Sequence, residues 1–177
     1  MRKKLIALAG AGLLLTSCST AEPAPTVTVY ETVMATPDTP DAPDPQEVLA
    51  LEAVATFDTF TLVVHAVDLD SAPEPAPQPD RPENKWASAD VEFCATAGDT
   101  AVTSYWWRMD SADNRRWEPS STGYSAFPAP AYAWGEQPVA GGTCHRGWIT
   151  FVVGEDSALE TVSYTNDKGD SAKWEIG

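Results

Sequence analysis

From residue 59 onward, apolar and polar side chains alternate in short runs. Thr59–Val67 places Phe60, Leu62, Val64 and Ala66 on one face. Trp86–Ala95, Ala101–Met109 and Cys144–Val153 are similar runs, the last with Ile149, Phe151 and Val153 on one side. A period of two marks a strand with one face buried. Arg115–Trp117 is a shorter run after the turn Asp110–Asn114. Leu159–Thr165 and Ser171–Ile176 predict a hairpin over Asn166-Asp167-Lys168-Gly169. Ahead of these, Gln46–Phe57 carries Val48, Leu49, Leu51 and Ala55, a spacing that predicts a short helical turn. No longer amphipathic helix is predicted. About seven short strands with regular turns predict an all-β domain, an antiparallel sandwich. The proline run Ser71–Glu83 reads as an internal loop, because neither flanking half is large enough to build a core alone.

The N-terminal pattern is different. Arg2-Lys3-Lys4 precedes an apolar run, Leu5–Leu15, too short to cross about 30 Å of hydrocarbon. Leu15-Thr16-Ser17-Cys18 then resembles a bacterial lipobox. Residues 1–17 are therefore expected to be a lipoprotein signal peptide. The Cys18 thiol is the expected nucleophile for lipidation, and two acyl chains suffice for stable anchoring. Residues 18–46 contain six prolines, at 23, 25, 37, 40, 43 and 45, with abundant Thr, Ala and Asp. Such a segment cannot bury enough apolar surface to offset its ordering entropy, so it reads as a disordered tether. The strand-like patch Thr26–Val33 within it reads as a β-prone stretch of linker. The β-domain is expected over residues 47–177. The expected location is the outer side of the cell membrane, held by the lipid anchor.

Charge and cysteines narrow the picture. The chain holds 26 acidic and 11 basic residues. Three of the basic ones precede Cys18, so a chain starting there keeps 8 against 26, a net charge of −18. Such a surface repels phosphate backbones and anionic head groups, so nucleic acid is not an expected partner. With Cys18 lipidated, Cys94 and Cys144 remain as an even pair in an oxidising compartment. A disulfide between them is expected, two free thiols or a metal pair being the alternative.

The stretch Pro138-Val139-Ala140-Gly141-Gly142-Thr143-Cys144-His145-Arg146-Gly147-Trp148-Ile149-Thr150-Phe151, followed by Val162-x-Tyr164 and Trp174, resembles a pattern of actinobacterial secreted lipoproteins. That family has no assigned function. It is related to a secreted mycobacterial immunoprotective antigen. The resemblance covers about residues 57–177 and implies an immunoglobulin-type, telokin-like sandwich outside the membrane, with Cys94 as the partner of Cys144. It carries no catalytic residues. The proline loop 71–83 and the aromatic loop 118–135 depart from the pattern.

Candidate chemistry is sparse. His65 and His145 are the two histidines, Met109 is the one methionine beyond the tether, and there is no Cys-x-x-Cys. A zinc or copper site needs more convergent ligands, so no metal or cofactor is expected. Asp68-Leu69-Asp70 and Asp167–Asp170 do not match a twelve-residue calcium loop and read as solvated turns. There is no Gly-x-Ser-x-Gly, and no enzyme activity is expected. Aromatic residues stand out instead. Trp106 and Trp107 are adjacent on a predicted strand, so one should face the core and the other outward. The loop Glu118–Gln137 brings Tyr124, Phe127, Tyr132 and Trp134. These six residues form the candidate binding surface, unless the loop folds down and seals it. Exposed aromatic platforms bind sugars or proteins, so a glycan or protein of the cell envelope is the expected partner. The leading expectation is a non-enzymatic binding module. A structural envelope lipoprotein is the alternative, and a metal carrier or hydrolase a more distant one.

Overall fold

A computed structural model describes residues 47–72 and 84–177. The signal segment, Cys18, the tether with its Thr26–Val33 patch and most of the proline loop lie outside the described residues. The chain lays down β1 (Val48–Leu49), β2 (Val54–Thr56), β3 (Phe60–Asp68) and β4 (Asn84–Ala95). Next come β5 (Thr100–Val102), a 3-10 turn (Ser104–Trp106), β6 (Trp107–Ser111) and β7 (Arg116–Trp117). The last strands are β8 (Gln137–Val139), β9 (Cys144–Gly154), β10 (Leu159–Thr165) and β11 (Ser171–Glu175). One sheet has the order β1-β11-β10-β6-β7, the other β2-β3-β4-β9, and β5 pairs with β8 as a small ribbon. The strand pairs are antiparallel except β1 with β11. The fold is an all-β sandwich.

The alternating faces explain why the two larger sheets pack. Leu62, Val64, Val91, Phe93, Phe151 and Val153 come from one sheet. Trp107, Met109, Val162, Tyr164 and Trp174 meet them from the other. Full burial of one aliphatic or phenyl side chain contributes about 1.5–3 kcal/mol, so this layer is the main source of stability. The β4–β9 ladder runs from Asn84↔Gly154 to Cys94↔Cys144. At its end the two cysteines are joined by a disulfide, with their Cα atoms 4.0 Å apart.

The structure departs from the sequence reading in three places. Gln46–Phe57 forms no helical turn: β1 lies along β11 and β2 along β3. The reason is tertiary, since Leu49 and Ala55 reach the core better from extended backbone docked on strands already in place. The run Ala101–Met109 is not one strand. Thr103 Oγ1 accepts a hydrogen bond from the Tyr105 amide at 3.3 Å and starts the 3-10 turn that divides it. In β3 a register shift between Val64 and Ala66 turns the strand over. After it Val67, not Ala66, packs against the core.

Candidate functional site

Strand β9 is an edge of its sheet. An edge strand presents unpaired N–H and C=O groups that a protein must cover or blunt. Here the segment between β7 and β8 covers it at two points. The Ser120 amide donates to the Thr150 carbonyl at 2.8 Å, beside a bridge between Pro119 and Phe151. The chain then arcs away and returns at Pro130. The Trp148 amide donates to the Pro130 carbonyl at 2.8 Å, and the Tyr132 amide donates to the Trp148 carbonyl at 2.9 Å. Gly147 permits this return. A Cβ there would lie 2.7 Å from the Tyr132 nitrogen and 2.8 Å from the Ala131 carbonyl carbon. Between the two anchor points, the arc and the edge of β9 enclose a cleft of about 320 Å³.

Four of the six expected surface residues line this cleft: Tyr124, Phe127, Tyr132 and Trp134. Each does so differently. Phe127 meets Trp86 edge-on, centroids 5.0 Å apart, and Tyr124 meets Phe127 at 5.4 Å. The arc therefore folds partly down, and this pair helps cover Trp86. Tyr132 is buried, edge-on to Trp107 at 6.4 Å and to His145 at 4.8 Å. Burial pushes its phenol well above the usual tyrosine range. Trp134 stays open, with 38% of its surface exposed. Its ring stands edge-on to exposed Tyr105 at 5.0 Å. Its carbonyl accepts hydrogen bonds from Thr103 Oγ1 at 3.1 Å and Ser104 Oγ at 3.2 Å. The backbone beneath this indole is thus fixed by the same threonine that starts the 3-10 turn.

Trp106 and Trp107 do not line the cleft. Trp107 is wholly buried in the core. Trp106 belongs to the 3-10 turn, half-buried, with its ring edge-on to Tyr164 at 6.0 Å. The expectation of one inward and one outward ring assumed continuous extended backbone, and the turn removes that assumption. Trp148 and Thr150 of β9, and the hydroxyl run Ser120-Ser121-Thr122, line the cleft without having been expected to. The available signal was Gly147: a glycine inside a strong strand marks a close backbone approach.

One titratable group supports the return of the arc. The Ala133 amide donates to His145 Nε2 at 3.3 Å, which requires that nitrogen to be unprotonated. Burial pushes the imidazole below its ordinary value of 6.5. The neutral ring therefore contributes its full stability above pH of about 6.5, and the contribution is lost as pH falls toward the lower folded value. Thermal melts between pH 7.5 and 5.5, run at about half-unit steps, should show this decline. It should flatten in His145→Gln, which keeps an acceptor but does not titrate. An equally steep profile in that variant contradicts the assignment.

Elsewhere some polar side chains pair, while the indole N–H groups of Trp107 and Trp117 and the Tyr164 hydroxyl are buried with no hydrogen-bond partner among the described residues. His65 Nε2 lies 3.7 Å from Glu92. Arg146 pairs with buried Asp90, its Nη2 2.6 Å from Oδ2 and its Nε also donating to the carboxylate. Glu92, Cys94 and Cys144 form a group of metal-type ligands among the described residues. Both sulfurs are consumed in the disulfide, so no thiolate is available there. Asp170 accepts from the Asn166 amide group at 2.9 Å within the last hairpin. Among the described residues no helix is long and apolar enough to cross a membrane.

No family model and no curated protein matches the chain. Solved structures do. The chain shares the fold of MPT63, a secreted protein of Mycobacterium tuberculosis. The TM-score is 0.56 at 18% identity, over 75% of this chain and 98% of that one. The yjhA protein of Bacillus subtilis aligns with a TM-score of 0.53 at 9% identity, over 73% and 100% of the two chains. The ycdA protein of the same organism, a candidate lipoprotein, aligns at 0.53 and 14%, over 71% of this chain and 38% of that one. At these identities the likeness is one of fold. The sequence resemblance pointed to a sandwich related to a secreted mycobacterial protein, and a secreted mycobacterial protein stands among the structural neighbours.

Proposed function

We propose that the chain is an extracytoplasmic, non-enzymatic binding module, anchored by lipid at Cys18, whose ligand site is the cleft between the 120–130 arc and β9. The observation that carries this reading is Trp134. A large indole is held exposed at the mouth of a formed cleft, on a backbone fixed by Thr103 and Ser104, next to exposed Tyr105. Ligand sites are concave and mainly apolar, with a few fixed polar groups. A preorganised aromatic at the rim lowers the ordering cost of binding. The signal segment and lipobox support the location, and the fold shared with a secreted protein is compatible with it.

Trp134→Ala tests the site. The exposed ring contributes little to the core, so the melting temperature should stay within a few degrees of the parent. Retention on immobilised envelope material should fall about ten-fold, the size of a truncated aromatic hot spot. Undiminished retention by a folded Trp134→Ala protein would mean that the cleft is not the binding site.

A further inference from the structure

We infer that the occupant of this cleft is an uncharged saccharide, one or two rings of a neutral glycan; this rests on the cleft being the binding site. The first observation is what the lining lacks. The chain carries a net charge of −15, yet among the described residues no charged side chain lines the cleft. Three other surface hollows are all charged. One holds Glu155 and Asp156, one Glu160 and Glu175, and one Asp110, Arg116 and Lys173. An ionic ligand entering the uncharged cleft would give up hydration with no counter-charge to meet it. Phosphorylated, sulfated and carboxylated ligands are disfavoured on this ground.

The second observation is what the lining contains. Tyr124, Trp134 and Trp148 contribute aromatic surface, and Ser121, Thr122 and Ser125 contribute hydroxyls along the arc. These three hydroxyls are on exposed residues and make no hydrogen bond among the described residues. A hydroxyl both donates and accepts, which matches a ligand that itself carries hydroxyls. An acyl chain would cover them without replacing the water they lose. A pyranose or furanose ring meets both halves of the lining, with C–H faces for the rings and an equatorial belt of hydroxyls for the serines and threonine. The cleft, at about 320 Å³, is at the small end of ligand sites, which suits one or two rings rather than a long segment. Its mouth is flanked by exposed Ser121, Gly123 and Trp134, so the remainder of a longer glycan can continue into solvent.

The experiment is calorimetric titration of the full-length, detergent-solubilised protein. The probes are a panel of neutral oligohexoses and oligopentoses, their uronic-acid and sulfated counterparts, and a fatty acid. The expected result is binding of at least one neutral oligosaccharide, about ten-fold weaker for its anionic counterpart and for Trp134→Ala. Trp134→Phe, which keeps a ring, should hold affinity within about three-fold. Preference for the anionic forms or for the fatty acid overturns the saccharide. So does failure of every oligosaccharide. In that event an envelope protein or lipid that binds and is lost with Trp134→Ala leaves the binding site standing. Absence of any Trp134-dependent ligand removes both.

Discussion

Opening the Cys94–Cys144 bridge, by reduction or by Cys94→Ser, is expected to lower the unfolding free energy by about 4 kcal/mol. The figure follows from the chain it closes. The two cysteines are 50 residues apart, and confining a loop of that length removes much of the denatured chain's freedom. Domains of this kind are stable by about 5–15 kcal/mol, so the bridge decides whether the less stable part of that range stays folded. It also has a local task. The bridged loop contains β5 to β8 and the whole arc over the cleft. The neighbouring bonds, Ala95 amide to Thr143 carbonyl at 3.0 Å and Gly142 amide to Ala95 carbonyl at 2.8 Å, hold the same end of the ladder. They should survive reduction in the native state but cannot restrain the unfolded one. Urea melts with and without reductant measure the effect. Cys144 is exposed, so reductant has access. A loss below about 1 kcal/mol would mean that the oxidised and reduced chains unfold to similarly restricted ensembles, contrary to the loop-entropy argument.

Trp174→Ala is expected to cost about 3–5 kcal/mol, the range for truncating a large core aromatic. Trp174 is wholly buried, its ring 5.9 Å from that of Trp107. Its indole N–H donates to the Ala53 carbonyl at 2.8 Å. That bond ties the last strand to the short link between β1 and β2, the segment with the weakest local signal. Trp174→Phe separates the two contributions. It keeps most of the ring but leaves the Ala53 carbonyl short of a donor, at a cost of about 1–3 kcal/mol for the unmade bond plus a smaller packing loss. Chemical denaturation of both variants checks the order. Equal losses for Phe and Ala would mean that the hydrogen bond, not the ring's bulk, dominates.

The strands that these residues join were unequally legible in the chain. The long runs, Phe60–Asp68, Asn84–Ala95, Cys144–Gly154 and Leu159–Thr165, announce themselves by the alternation of apolar and polar residues in their sequence. Burial follows that alternation closely in Cys144–Gly154, whereas Trp86–Val91 is buried without a break. The short strands do not announce themselves. Val48–Leu49, Val54–Thr56 and Gln137–Val139 are strands because they pair with β11, β3 and β5, and two or three residues are too few to leave a periodic trace. At Gln46–Phe57 the apolar spacing fits a helical turn as well as it fits two docked extended segments. The tie from Trp174 to Ala53 belongs to the second arrangement.

The site was legible in its composition and not in its assembly. Clustering of Tyr124, Phe127, Tyr132 and Trp134 in one loop was plain. Which of them would stay open was not, because that depends on partners far along the chain. Trp86 takes Phe127, Trp107 and His145 take Tyr132, and Thr103 with Ser104 holds the backbone of Trp134. Trp148 looked like any outward residue of a strand. It becomes part of the cleft because the arc, paired to Thr150 through Ser120, returns through Pro130 and Tyr132 to the backbone of Trp148 itself.

As the proposed ligand site, this cleft, and not the rest of the surface, is expected to meet a component of the envelope. Site-specific photo-crosslinking in the producing cell tests it most directly. A photoreactive residue at Ser121, in the cleft, is compared with one at Lys168, exposed in the β10–β11 turn. The expected result is a defined adduct from position 121 that is absent from 168 and disappears in the Trp134→Ala background. Equal labelling from both positions, or labelling from 121 that ignores Trp134, would contradict it.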